Sequence, residues 1–77
     1  METEIKLALR SYGYVVTTEP LEGSENEYLA HLRSALNRVV VDADFARRRH
    51  GFRGKSKALL AYLHQVTPSP AWGVEPN

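Results

Sequence analysis

The sequence contains no cysteine, so no disulfide and no cysteine-ligated metal site can stabilise it. No apolar run approaches the roughly 18 residues that a membrane-spanning helix requires. The first residues, Met1 to Glu4, lack the basic start and apolar stretch of a signal peptide. Absence of cysteine is also typical of proteins in a reducing compartment. We therefore expect a soluble, cytoplasmic protein without membrane contact.

At 77 residues the chain has room for one domain. A domain of this size buries only roughly 60–65% of the surface that its unfolded chain exposes, so its core must be efficient or completed by a partner subunit. Prolines and other helix-breaking residues begin at Thr67. We predict a globular domain over residues 1–66 and an irregular, proline-containing tail over residues 67–77.

Charge is unevenly distributed along the chain. Residues 1–45 carry eight acidic and four basic residues, a net charge of −4. Residues 46–77 carry six basic residues and a single acid, Glu75, a net charge of +5. Such asymmetry favours one surface that faces an anionic partner. The alternative is that the acidic half neutralises the basic half within the fold.

Residues 3–12 fit two patterns. Alternation of apolar and polar residues from Ile5 to Leu9 predicts a half-buried strand. The same residues, extended to Tyr12, also follow the i, i+3, i+4, i+7 spacing of an amphipathic helix. Composition favours the helix, and Gly13 stands where a left-handed cap would end it. We predict a helix here, with a strand-turn-strand hairpin as the alternative.

Two later segments are rich in β-branched residues and predict strands: residues 14–18 and residues 38–42, the second with three consecutive valines. Between them, apolar residues at helical spacing predict a helix over about residues 25–37. This helix would begin with a capping box, in which Ser24 and Glu27 bond each other's backbone N–H groups.

A short helical turn capped by Asp42 or Asp44 is predicted to end at Gly51, and a last helix to cover residues 55–66. The fold class is therefore α+β: two or three short strands packed with three main helices, in the order α-β-α-β-short α-α. Because so few strands are marginal as a free-standing sheet, pairing with a second copy to give a homodimer is one expected solution. The buried stripe of the last helix is predicted to be Leu59, Leu63 and Val66.

Residues 46–57 hold six of the ten Lys and Arg residues and no acid. Gly51 and Gly54 interrupt this run just before the last predicted helix. A helix that starts there exposes unpaired N–H groups and the positive end of its dipole, which suits phosphate oxygens. The predicted binding residues are Arg47, Arg48, Arg49, Arg53, Gly54, Lys55, Ser56 and Lys57.

Two phosphate-contacting loops are similar in part. Gly54-Lys55-Ser56 resembles the end of a P-loop, but the glycine required five residues before Gly54 is Arg49, and no strand leads directly into the loop. Gly51-Phe52-Arg53-Gly54 resembles the GxxG loop of KH domains, which lies between two helices and clamps a nucleic-acid backbone. The flanking positions that are aliphatic in that family are His50 and Lys57 here.

The passage from Gly51 to Leu60 also resembles the second half of ribbon-helix-helix DNA-binding proteins. The resemblance covers ten residues and implies that the start of the last helix holds a phosphate while a strand, here Val39–Val41, reads bases. The segment between Asp42 and Gly51 is short for the first helix of that family, and residues 25–37 have no counterpart in it.

Other chemistry is sparse. The three histidines show no metal-ligand spacing, and no serine lies in a nucleophile-elbow context, so we expect no metal, no cofactor and no enzymatic activity. Phe52 could stack on an unpaired base, although the more common role is to anchor the loop in the core. For Trp72 we favour packing on the core over a docking role.

These observations favour a small nucleic-acid-binding accessory or regulatory protein, which contacts the backbone phosphates of DNA or RNA through the basic loop 47–57. The alternative is a non-enzymatic protein-interaction module, an adaptor or inhibitor, whose basic loop binds an acidic protein surface. A third possibility for the arginine triplet 47–49 is purely structural, namely solubility and pairing with Asp42 and Asp44.

Overall fold

A computed structural model describes residues 1–77 as three helices and one two-stranded antiparallel sheet. This arrangement confirms the α+β class. The helices and strands, in chain order, are α1 (Glu2–Ser11), β1 (Tyr14–Val16), α2 (Glu25–His50), α3 (Lys57–Val66) and β2 (Val74–Pro76).

Helix α2 is the longest element, with 26 residues, and it runs through the three consecutive valines. The predicted strand over residues 38–42 and the separate short helix after it are therefore wrong. Each β-branched residue costs a helix up to about 0.7 kcal/mol relative to alanine, which burial easily offsets. Val39 is fully buried, Val40 half-buried and Val41 exposed, as successive residues of an amphipathic helix are. The buried stripe of α2 consists of Tyr28, Leu32, Ala35, Val39, Ala43 and Ala46.

The start of α2 is not the predicted capping box. Ser24 is the N-cap residue, but its side chain makes no capping bond. Its hydroxyl instead donates to the Leu21 carbonyl at 2.9 Å, and the Glu25 carboxylate accepts from the Gly23 amide at 3.1 Å. The C-terminal cap of α2 is Gly51, which adopts the left-handed conformation at the position where the separate short helix was predicted to end.

Helix α1 confirms the helical prediction for the N-terminal segment, and it lies parallel to α2. Arg33 contacts Met1 at one end of α1, and Arg47 contacts Tyr12 at the other. Gly13 follows with φ +83°, and a Cβ at this position would lie 2.6 Å from the His64 ring. This tight turn leads directly into β1.

Strand β1 pairs with β2, so the chain supplies its own partner strand. Tyr14 lies opposite Pro76, and Val16 lies opposite Val74. The prediction of an irregular tail is therefore wrong for residues 74–76, and Val74 is fully buried in the core. The region before the strand also departs from expectation, since Trp72 is 78% exposed instead of packed on the core.

Helix α3 runs antiparallel to the second half of α2. Tyr62 packs on His50 near one end of the pair, and the Thr67 hydroxyl bonds the Asp42 carboxylate at 2.6 Å near the other. Leu59 and Leu63 are buried as predicted, whereas Val66 is 49% exposed. Between α3 and the sheet, the Tyr14 hydroxyl donates to the Thr67 carbonyl at 2.7 Å.

The molecule is elongated, 43 × 18 × 17 Å, because α2 spans its whole length. The N-terminal end of α2 carries Glu25 and Glu27, and its C-terminal end carries Arg47, Arg48 and Arg49. The two acids in the first turn of α2 and the arginine triplet in its last turn thus lie at opposite ends of the rod. None of the three helices is both long enough and apolar enough to cross a membrane.

Candidate nucleic-acid interface

The basic loop occupies the end of the rod where α2 turns back into α3. Gly51 begins the turn in the left-handed conformation, and Gly54 has φ +48°. Ser56 then caps α3, its hydroxyl accepting from the Leu59 amide at 3.2 Å. A Cβ at Gly51 or Gly54 would meet nothing within 4 Å, so the backbone there is open to an approaching group.

Arg47 fixes this loop through the hydrogen bonds of its guanidinium group. Its guanidinium donates to the Gly54 carbonyl at 2.8 Å, to Asp44 at 2.8 Å and to the Tyr12 hydroxyl at 3.2 Å. The hydrogen bond with Tyr12, and next the charges of Tyr12 and Asp44, raise the already high pKa of Arg47. With its donors engaged inside the protein, Arg47 is a structural residue of the loop more than a free phosphate contact.

Lys55 provides a second attachment, to the end of α1. Its ammonium group donates to the Ser11 hydroxyl at 2.7 Å and lies 4.5 Å from the centre of the Tyr12 ring. A cation over an aromatic face contributes about 0.5–1 kcal/mol at an exposed site. Arg47 and Lys55 therefore both attach the loop to the end of α1, through contacts with Tyr12.

Five of the six predicted cations have no acidic partner, and Lys55 is the only one of these five that makes a side-chain hydrogen bond. The other four are unpaired: Arg48, Arg49, Arg53 and Lys57. All four are exposed. Of the arginine triplet, only Arg47 pairs with Asp44, while Asp42 is engaged by Arg38 and Thr67. Pairing with an aspartate thus holds for Arg47 and not for its two neighbours.

The first turn of α3 adds unpaired backbone donors. Ser56 satisfies Leu59, and the Ser56 carbonyl accepts from Leu60, whereas the amides of Lys57 and Ala58 have no acceptor within the helix. The positive end of the helix dipole lies at the same place. The four unpaired cations lie on the last turn of α2, on the loop and on the first residue of α3, at the same end of the molecule as the open start of α3.

Phe52 is half-buried and packs against the core, so it anchors the loop. Its ring centre lies 5.7 Å from that of His50 and 5.6 Å from that of Tyr62, and the latter two are 4.8 Å apart. This aromatic cluster attaches the loop to α3 through Tyr62.

Sequence reasoning missed Tyr12 and His50 as parts of the loop's support. Nothing in the sequence indicated that Tyr12 supports the loop, because its contacts with Arg47 and Lys55 depend on the parallel packing of α1 and α2. His50 had a weak signal, namely an aromatic residue two positions before Phe52.

None of the three surface clefts is lined by residues 47–57. No group of three or more histidine, aspartate or glutamate side chains is placed to hold a metal ion. The basic loop therefore lies on an exposed turn outside these clefts. Comparison with protein-family models, with curated proteins and with solved structures finds no match to this chain.

Proposed function

We propose that this protein binds nucleic acid through backbone phosphates, as a small accessory or regulatory protein. Its contacts are Arg48, Arg49, Arg53 and Lys57, together with the free amides at the start of α3. The observation that carries this proposal is that exposed, unpaired cations and unpaired N–H donors occupy the same segment, from the end of α2 to the start of α3. Phosphate oxygens are the anionic acceptors that such donors suit best.

Rigidity of the loop supports the proposal. Ordering a flexible basic loop on binding costs side-chain and backbone entropy. Here the backbone is already fixed by the bonds of Arg47 to Gly54 and of Lys55 to Ser11. Only the exposed side chains lose freedom when a phosphate is bound.

The binding mode has a further consequence for specificity. Phosphate contacts fix position and orientation but carry no sequence information. With the three valines inside α2, the strand that reads bases in ribbon-helix-helix proteins is absent here. We therefore expect binding with little sequence preference, with a Kd on the order of 10⁻⁴ to 10⁻⁶ M at physiological salt.

The test is fluorescence anisotropy with short labelled double-stranded DNA, single-stranded DNA and RNA over a salt series. If the four cations each neutralise one phosphate of duplex DNA, log Kobs should fall against log salt with a slope of about −3 to −4. The variants R48A and R53A should each weaken binding and reduce the steepness of that slope by about 1.

The matched control is R33A, which removes the same charge from a different part of α2 and should leave the slope unchanged. No binding to any of the three probes at low salt would overturn the proposal. That result would favour an acidic protein surface as the partner of the basic loop.

A further inference from the structure

The opposite end of the molecule displays a second surface, built on the turn that precedes β2. The Ala71–Val74 bridge and the bond from the Val74 amide to the Ala71 carbonyl, at 3.0 Å, close this turn with Trp72 at its tip. Trp72 is 78% exposed and Leu21, on the neighbouring loop, is 79% exposed. Large apolar side chains so fully exposed are characteristic of interaction surfaces when they lie side by side.

Trp72 is held firmly although its side chain is free. The His31 Nε2–H donates to the Trp72 carbonyl at 2.8 Å, and the Thr17 amide donates to the Gly73 carbonyl at 2.7 Å. Gly73 has φ +82°, and a Cβ there would lie 2.5 Å from Thr18. The backbone on both sides of Trp72 is thus fixed, so a partner would not have to order it.

A shallow groove of about 240 Å³ lies between Trp72 and the start of α2. Leu21 and Pro20 provide its apolar lining, and Glu19 and Glu27 provide its charge. No lysine or arginine lines it. The groove therefore combines an aromatic anchor with two carboxylates and repels phosphate groups and anionic lipid headgroups.

We propose that this groove, the Trp72 surface, docks a basic segment of a partner protein that also carries an apolar side chain. The apolar side chain packs between Trp72 and Leu21, and an arginine or lysine reaches Glu19 or Glu27. The indole face also attracts a cation directly. Tryptophan, tyrosine and arginine are the residues most enriched among the energetic hot spots of protein interfaces. This surface is separate from the basic loop, so the protein can hold two different partners at once.

The test uses a short labelled peptide of leucine and arginine, followed by anisotropy and by intrinsic fluorescence. Trp72 is the only tryptophan, so its emission reports on the surface itself. We expect saturable binding with a blue shift, and a Kd raised about tenfold or more by W72A. The double variant E19Q/E27Q should weaken binding severalfold and flatten its salt dependence.

F45A is the matched control, because Phe45 is also exposed, at 57%, and lies outside this groove. It should bind the peptide like the unmodified protein. Equal binding by W72A, or equal binding of a peptide with glutamate in place of arginine, would overturn the proposal. A blue shift that depends on protein concentration alone would also overturn it, since the occupant would then be a second copy of this chain.

Discussion

The guanidinium of Arg47 donates to the carbonyl of Gly54 at 2.8 Å and so ties the last turn of α2 to the loop that leads into α3. The same side chain bonds Asp44 and Tyr12. One arginine therefore joins α2, the loop and the end of α1.

Replacing Arg47 by alanine should destabilise the protein by about 1–3 kcal/mol, because three partners lose a charged donor. Arg47→Lys should be nearly as damaging, since an ammonium group cannot reproduce the planar fork of donors. Urea unfolding measures both effects. Arg48→Ala is the control, with an expected change within about 0.5 kcal/mol. A loss in Arg48→Ala as large as in Arg47→Ala would show that the charge, and not this geometry, stabilises the loop.

Gly13 and Gly23 form a matched pair for testing the α1–β1 turn. Their φ angles are +83° and +86°, but a Cβ at Gly13 would lie 2.6 Å from His64, whereas one at Gly23 would meet nothing within 4 Å. Gly23→Ala should cost roughly 1–2 kcal/mol for its backbone conformation alone. Gly13→Ala should cost more, because His64 must move and lose its bond to the Tyr12 carbonyl. Equal thermal stability of the two variants would contradict the close contact.

Tyr14 should make the protein sensitive to alkaline pH. Burial, and next the charge of Asp42, raise the pKa of Tyr14 to about 12 from an ordinary value of 10.0. The folded protein therefore retains a proton that the unfolded chain releases, so this stabilisation is full below pH 10 and is lost as pH rises toward 12. The loss amounts to about 2–3 kcal/mol.

The measurement is the free energy of unfolding of the native protein and of Tyr14→Phe between pH 8 and 12. At pH 8 the variant should be less stable by about 1–3 kcal/mol, since the Thr67 and Leu63 carbonyls lose their donor. This difference should shrink as pH rises. A constant difference across the range would show that Tyr14 titrates like an exposed tyrosine.

Shortening the chain to residues 1–66 should unfold it or reduce its stability by several kcal/mol. The deletion removes β2 together with the fully buried Val74, and it leaves β1 without a partner strand. Circular dichroism during thermal unfolding would detect the loss. The single substitution Val74→Ala should cost about 1–3 kcal/mol. A shortened chain that unfolds at the same temperature as the full one would confirm the predicted domain boundary at residue 66.

Local sequence predicted α1, with a hairpin as the alternative, and a helix end at Gly51, because the signals for both lie within a few residues. The helical spacing around Leu9 and the left-handed glycine at Gly51 need no distant partner. Val39–Val41 could not be assigned in this way, because β-branched residues favour a strand locally, whereas packing of α1 and α3 on both sides favours a helix. Burial of Val39 in the core thus outweighed the local preference of the three valines for a strand.

Strand β2 was not predicted from the sequence, for a different reason. Val74–Pro76 is short and contains proline, which cannot donate to a sheet, so its pattern resembles a loop. Only the distant segment Tyr14–Val16 makes it a strand. The candidate interface was likewise predictable only in part. The clustered basic residues indicated which segment of the chain it occupies. Which cations are free depends on the packing of Tyr12 against Arg47 and Lys55.

The rod shape, with acids at one end of α2 and bases at the other, makes the molecule a permanent electric dipole along its 43 Å axis. A dipole near a polyanion experiences a torque, which turns the positive end toward the charge before any contact is made. Because so small a rod rotates rapidly, the molecule stays aligned with the field while it diffuses toward the polyanion. The end that meets an anionic surface first is thus selected by the field, and the Trp72 surface is left facing outward.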